Sequence, residues 1–492
     1  MSLGLNLELG LNLALLLPWL AAPLLLSLRR WPNLREAVTL LSGIGLFLLV
    51  FGLYQAHLDG QRLQLHWLEV MPGLSLSFQL ESLSLLFALV ASALWPVTSL
   101  YAIGYMRAHD EAHQTRFYIC FAIAIGATMG LAFSDNLFSL FIFYEVLTLS
   151  TYPLVTHAGT DKARQGGRVY LGILMTTSIG FLLLAIIATW LHAGRLDFSP
   201  GGIFQGQLEP WLGSLLLALF VFGIGKAAIM PFHRWLPAAM VAPTPVSALL
   251  HAVAVVKAGA FSLLKVAAFI FGLDLLKDLP ATDWLLYLAG ISVVLASLVA
   301  LTKDNLKARL AYSTIGQLGY ISIGALLATQ SGLIGGAMHI AAHAFGKITL
   351  FFCAGAIYIA LHKTEISDMR GIGRQMPLTL AAFFIGAVSI IGLPPSGGAW
   401  SKWFLVLGAL DAGQLALMAA LMFSSLLNIA YLLPIPYRAF FPNDGRPVWQ
   451  PQARQEAPLP MLIAIGLSAS ASLALFFYPQ PFYRLASGIL GG

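Results

Sequence analysis

Six ionisable residues stand inside otherwise apolar stretches of this chain: Glu145, Lys226, Lys257, Lys265, Lys347 and Lys402. His251, His339 and His343 share those stretches. The 492 residues include only 27 Lys and Arg and 21 Asp and Glu, so charge is rare and its placement is informative. A charge near a bilayer centre costs about 2.5–3.5 kcal/mol on insertion scales. Lysine can give up its proton when desolvated, arginine cannot, and imidazole titrates near neutrality. These residue types in these places suit the movement of ions, above all protons, between buried bases.

Spacing sharpens the reading. His339, His343 and Lys347 follow one another at i, i+4. They fall on one helix stripe, about 6 Å apart along the axis, a ladder that water can bridge. Two histidines four apart can also bind zinc, but Lys347 repels a cation there and no acidic residue is near in sequence. His251, Lys257 and Lys265 are separated by six and eight residues. The two lysines lie within about 80° of each other on a helix, and His251 falls about 120° from Lys257. His251 reads either as a packed ring or as a proton carrier, and Lys265 either as a relay group or as a snorkelling residue. Glu145 needs a compensating cation, and Lys226 is the natural partner. A purely static pair stabilises little in such surroundings, which favours a pair that tunes the lysine's hold on its proton. Lys402 follows a helix break and reads as a terminal relay group or a snorkelling lysine. Thr244, Ser247, Ser313, Thr314 and Gln317 can hold water beside these bases.

The elements that must position these groups are membrane helices. The chain is 59% hydrophobic and 10% charged with a mean hydropathy of +0.82, too apolar for a soluble core with a wet outside. The ten-residue alternation of a membrane β-barrel is absent. The pI near 9.2 comes from basic residues scattered over short loops, not from a patch that would bind nucleic acid. Cys120 and Cys353 lie in apolar stretches and read as buried thiols. No phosphate loop, dinucleotide fingerprint, metal-protease motif or iron–sulfur spacing occurs, so no cofactor and no metal is expected. Energy must come from an ion gradient or from partner subunits.

Apolar runs and their punctuation predict an all-α polytopic membrane protein with about 14 transmembrane helices: 7–28, 37–57, 75–105, 113–132, 135–157, 167–191, 211–231, 243–272, 282–302, 308–328, 331–361, 377–409, 414–440 and 459–479. The first run has no basic residues before it and reads as a span, not a cleaved signal peptide. One set of connections then carries eighteen Lys and Arg, Arg446 among them, and the other set with both termini carries four. By the positive-inside rule the basic set faces the cytoplasm and both termini face the exterior, in a bacterial inner membrane. Segment 58–74 alternates weakly around Pro72-Gly73 and suits a small hairpin or a plain loop. Prolines interrupt residues 229–247 and 391–403, as where backbone lines an ion path. The two breaks suggest two five-helix repeats, 113–272 and 282–440, after an N-terminal unit 1–110 and before a C-terminal helix in 441–492.

These strings resemble a known family. "FYEVLTLSTYPLV", "GKAAIMPFHRWLPAAMVAPTPVSALLHAVAVVKAG", "NLKARLAYSTIGQLGY", "HIAAHAFGKITLFFCAGA" and "GLPPSGGAWSKW" are similar to the antiporter-like proton-channel subunits of respiratory complex I, membrane-bound hydrogenases and Mrp-type sodium/proton antiporters. The resemblance implies fourteen helices, two inverted five-helix repeats and discontinuous helices 7 and 12. It implies that Glu145 is the glutamate of the fifth span, Lys226 its lysine in the seventh, and His251 and Lys257 relay positions of the eighth. His339, His343 and Lys347 match the relay of the eleventh span, and Lys402 the terminal group of the twelfth, where some relatives carry glutamate. The expected partners are other membrane subunits, the lipid bilayer and protons. "HAVAVVKAGAFSLLKV" sits nearest the Mrp and hydrogenase side, and the length fits a D-type Mrp subunit. The implied activity is proton movement within a sodium/proton antiporter complex; the alternative is a proton-pumping subunit of a complex I-type oxidoreductase or a hydrogenase.

Overall fold

The computed structural model describes residues 6–204, 208–442 and 454–491. Arg446, one of the eighteen basic residues in the connections, lies outside them. The chain runs α1 (Leu7–Ser27), α2 (Pro32–Leu58), β1 (Gln64–Met71), β2 (Leu74–Gln79), α3 (Ser82–Ala108), α4 (Gln114–Phe133), α5 (Leu137–Val155), α6 (Asp161–Ala193) and α7 (Pro210–Gly223). It continues α8 (Thr244–Phe271), α9 (Pro280–Thr302), α10 (Leu306–Leu326), α11 (Gln330–Leu361), α12 in two halves (Pro377–Ile391 and Gly398–Asp411), α13 (Leu415–Phe440), α14 (Leu459–Phe477) and a short α15 (Gln480–Ser487). Among the described residues eleven helices are long and apolar enough to cross a membrane. α7 and the first half of α12 are apolar but short, because each stops at a break. α10 is the most polar span, carrying Ser313, Thr314 and Gln317. Each of the fourteen expected spans therefore has a helix or a broken pair.

α8 is buried along its whole length and packs against α3, α10 and α11. It is the inner post of the bundle, which explains how a helix with two lysines can sit there: its polar groups face protein, not lipid. Side-chain caps set the starts of the helices around it. Asn136 accepts from Ser139 N (2.7 Å), Asn305 from Ala308 N (3.1 Å) and Thr329 from Gly332 N (3.1 Å). Each such cap contributes about 1 kcal/mol and fixes where α5, α10 and α11 begin.

Two expectations need correction. The third span begins at Ser82, not at 75, because residues 74–79 pair antiparallel with 64–71 as a hairpin turning at Pro72-Gly73. Asn136 Nδ2 ties that hairpin to the start of α5 through Ser75 O (2.9 Å) and Ser77 Oγ (2.8 Å). Second, the seventh span stops before the first proline of its break. α7 ends at Gly223, one 3₁₀ turn spans Gly225–Ala227, and Ala228 takes a left-handed conformation. Lys226 thus lies in the break itself. The twelfth span stops at Gly392, also left-handed, where a Cβ would stand 2.5 Å from Lys402 Cδ. Glycine is required there twice over, for its φ and for the passing lysine.

α8 is not a uniform helix. π turns at Leu249–Val253 and Ala267–Phe271 bracket a regular segment, Val255–Val266. His251 lies in the first π turn, so its angle to Lys257 is not that of an unbroken helix. Such π turns are frequent at functional sites.

The connections sort onto two faces. Residues Tyr105, Glu111, Lys162, Thr244, Lys307 and Lys363 line one cavity of about 700 Å³ on the basic side. His57, Arg62, Glu81, Asp135, Asp197 and Gly488 line another of about 500 Å³ on the hairpin side. Trp67 of the hairpin donates to Asn12 Oδ1 (2.9 Å), and Gly488 lies at the hairpin cavity, so both ends of the described chain are on that face.

Candidate functional site

Lys226 is fully buried at the break of α7. Its Nζ donates to Tyr144 O (2.8 Å) and Thr148 Oγ1 (2.6 Å) and stands 3.1 Å from the centroid of the Tyr144 ring. Hydrogen bonds to a charged group contribute about 1.5–3 kcal/mol and a desolvated cation–π contact about 2 kcal/mol. These offset a bilayer-centre cost of about 2.5–3.5 kcal/mol without a carboxylate in contact. The expected direct ion pair is indeed not formed: no ion pair within 4 Å among the described residues includes Glu145. The reason is helix phase. Tyr144 and Thr148 point inward from α5, and Glu145 lies about 100° from Tyr144, closer to the exposed Ile142 and Leu149. Both Glu145 carboxylate oxygens are hidden from solvent and have no hydrogen-bond partner among the described residues.

Lys257 rises from the middle of α8 and reaches across to α11, where Nζ meets Nδ1 of His343. Both are buried. His343 stacks on His339 with ring centroids 5.9 Å apart, and His339 stacks on Tyr320 of α10 at 5.6 Å. His339 is held at both nitrogens, by Ser401 Oγ (2.9 Å) and Gln317 Oε1 (3.0 Å). Lys402 Nζ stands 4.5 Å from the centroid of that same Tyr320 ring and donates to Ile391 O (2.9 Å) and Ser425 Oγ (3.0 Å). Tyr320 OH shares Ser425 Oγ at 3.1 Å. One line of buried groups therefore joins Lys257, His343, His339, Tyr320 and Lys402. The carbonyl of Ile391 is free for Lys402 because Ile391 is the last residue of that half of α12.

Lys347 leaves this line. It donates to Ser313 Oγ (2.6 Å), which also receives Tyr431 OH (2.9 Å) of α13. The order along α11 is thus the reverse of the one expected from the ladder alone. His339, not Lys347, lies next to the surroundings of Lys402. His251 packs on Phe351 with centroids 4.7 Å apart and both its nitrogens lack partners among the described residues. Lys265 is brought to neither group. It pairs with Glu81 Oε1 (2.9 Å), contacts Ser134 O, and lies 4.3 Å from the centroid of Phe198 on the hairpin side.

Sequence reasoning missed Tyr144, Tyr320, Tyr431, Ser401 and Glu81. The tyrosines sit in the same apolar spans as the lysines, and a buried phenol must find a polar partner, which was the available signal. Glu81 falls inside the expected span 75–105 and stands in the structure just before α3, where a carboxylate can reach water. No group of three or more metal-ligating side chains occurs among the described residues, and the histidine ladder meets no carboxylate. The two thiols are unpaired, Cys353 buried and Cys120 half-buried.

Comparison with known proteins fits this geometry. The chain is 34% identical over 369 residues to NADH-quinone oxidoreductase subunit N of Desulforudis audaxviator (strain MP104C), covering 73% of this chain and 71% of that one. It is 33% identical over 346 residues to hydrogenase-4 component B of Escherichia coli (strain K12), covering 67% of this chain and 50% of that one. The chain spans about half the length of several other curated relatives it matches. In fold it is similar to a chain of the Mrp complex from Dietzia sp. DQ12-45-1b, with a TM-score of 0.86 at 21% identity over 99% of this chain and 97% of that one. Residues 134–428 match the family described as NADH:quinone oxidoreductase/Mrp antiporter, transmembrane. They contain every buried lysine and histidine of the line above, and the chain belongs to this family of antiporter-like membrane proteins.

Proposed function

We propose that the chain is the proton-translocating subunit of a multisubunit Mrp-type monovalent cation (sodium)/proton antiporter. The observation that carries this is the buried line Lys257–His343–His339–Tyr320–Lys402, which links α8 to α12 without a covalent reaction centre. Protons load a central lysine, cross to α11 and reach Lys402. The placement of Glu145 beside the Lys226 break, without a partner of its own, suits a switch whose approach alters how Lys226 holds its proton. Sodium passes through a partner subunit, since a desolvated sodium ion needs oxygen ligands and this line offers mostly nitrogen. The basic face is cytoplasmic and the hairpin face exterior, in a bacterial inner membrane. The breaks in α7 and α12 support reading 113–272 and 282–440 as two inverted five-helix repeats that each contribute half of the path.

A second reading is a proton-pumping subunit of a complex I-type quinone oxidoreductase or a membrane-bound hydrogenase. The 34% identity to a subunit N, over 71% of that relative, favours it. Everted vesicles from the native host with and without the chain separate the two. Under the first reading, deletion abolishes the pH change driven by added sodium and spares the one driven by respiration. Under the second, respiration-driven acidification falls and the sodium response is unchanged.

A further inference from the structure

α8 carries two buried lysines about 12 Å apart along its axis, eight residues at about 1.5 Å each. They have different fates. Lys257 turns inward to His343. Lys265 is the only one of the five buried lysines with a carboxylate in contact among the described residues, Glu81 at 2.9 Å. Glu81 comes from the residue just before α3 and is itself tied in place by Ser84 Oγ (3.0 Å) and Gln79 Nε2 (3.1 Å). Its side chain remains 16% exposed while that of Lys265 is fully covered. Glu81 also lines the hairpin-side cavity of about 500 Å³. The carboxylate therefore touches water on one side and a buried ammonium on the other. Ser262, between the two lysines, keeps a buried hydroxyl with no partner among the described residues, a polar foothold for water along the same helix.

We propose that Glu81 is the proton-exchange residue of the hairpin-side port, passing protons between the water of that cavity and Lys265. This rests on the proton-translocation reading and adds a terminus to it. The step balances simply: the ammonium N–H gives its proton to the carboxylate, leaving a neutral amine and a carboxylic acid, and the acid releases that proton to cavity water. The reverse order takes a proton in. The other carboxylates around the pair are engaged. Asp135 accepts from Gln64 Nε2 (2.5 Å) and Ser77 Oγ (3.4 Å), and Asp197 is paired with Arg195. Arg62 and His57 stand on the cavity wall, and His57 Nε2 is engaged with Ser82 Oγ (2.9 Å). A π turn, Ala267–Phe271, begins two residues after Lys265.

The test uses the complete complex in membrane vesicles, with a pH-sensitive dye and the pH of each side set independently. Glu81→Gln should lower proton transport at least about tenfold and flatten its dependence on the pH of the hairpin side, leaving the dependence on the other side in place. Glu81→Asp should retain transport with a displaced hairpin-side profile. Normal transport by Glu81→Gln, or loss without any change in profile, overturns the port. If Glu81→Gln does not assemble, Glu81→Asp decides: an unmoved profile means that Glu81 only anchors Lys265, and the proposal fails. Lys402→Ala run alongside separates the two levels. Loss in Lys402→Ala with a normal Glu81→Gln sinks the port alone, whereas normal transport in both sinks the translocation reading beneath it.

Discussion

The Lys257 ammonium meets Nδ1 of His343 across the seam between α8 and α11. Both groups are bases, and two bases in contact are held together by one proton between them, since two full positive charges would repel. That contact joins α8 to α11 through titratable side chains. His343 and His339 then stand ring on ring, so the next step requires a water or a rotation of one ring over a 5.9 Å centroid spacing.

Glu145 and Lys226 should act together without being an ion pair. Glu145→Gln and Lys226→Ala should each lower proton-coupled transport about tenfold or more with assembly intact, and the double variant should lose little beyond the worse single. Thr148→Val removes one of the two oxygens holding Lys226 and should weaken transport less than Lys226→Ala. Fully additive losses in a double-mutant cycle, read as initial rates of dye quenching, would show two independent sites.

His339 should be a sensitive position. The ladder read from sequence puts it at the end farthest from Lys347, on a stripe that water can bridge. The structure places it between His343 and Tyr320 with both nitrogens engaged. His339→Ala is expected to cut transport at least as deeply as Lys347→Ala, because Lys347 is bonded to Ser313 while His339 stacks on the Tyr320 ring that Lys402 touches. Transport rates of the two variants at equal complex level settle the order. A mild His339→Ala beside a severe Lys347→Ala would restore the ladder order.

The fold was largely legible because hydropathy and proline placement are one-dimensional signals. The spans, the two breaks and the sorting of loops onto two faces all follow from them. What was not legible depends on phase and on partners. Helix phase turns Glu145 aside from Lys226, and no pattern of apolar residues reports which carbonyl a broken helix leaves free. The π turn around His251 shifts its angle invisibly, since Leu, His, Ala and Val are as compatible with an α turn as with a π turn. The fate of Lys265 depended on Glu81, 184 positions away in sequence at the mouth of another helix. The buried lysines themselves stood out because a lysine in an apolar stretch is costly enough to demand a reason.

Gly259 should be a packing key for the break. A Cβ there would collide with the backbone of Lys226 and Ala227, against which α8 lies directly. Gly259→Ala should cost about 1–3 kcal/mol of stability and displace Lys226 from Thr148. The melting temperature of the purified protein in detergent should fall, and transport with it. An unchanged melting curve would mean that the break yields freely around α8.

His157, in the connection after α5, provides a pH test outside the spans. Burial, and then Arg116 beside it, push its imidazole from the usual value of about 6.5 down to about 4. A base whose folded value is lowered is held neutral by the fold. Its contribution to stability is whole above about pH 6.5 and is lost as pH falls toward about 4. The detergent melting temperature should therefore drop across that window, and His157→Phe should shrink the drop. A drop of equal size in the variant would assign the acid sensitivity to other groups.

The central claim is that a proton, not merely a charge, occupies the seam. Lys257→Arg tests it most directly, because arginine keeps the positive charge at that position but cannot release a proton in this range. The measurement is proton uptake by vesicles containing the reconstituted complex, followed with a pH-sensitive dye at equal complex level. Loss of at least about tenfold in the arginine variant is the predicted result. Uptake at the wild-type rate would contradict it, since Lys257 would then hold a fixed charge against His343 and protons would cross elsewhere.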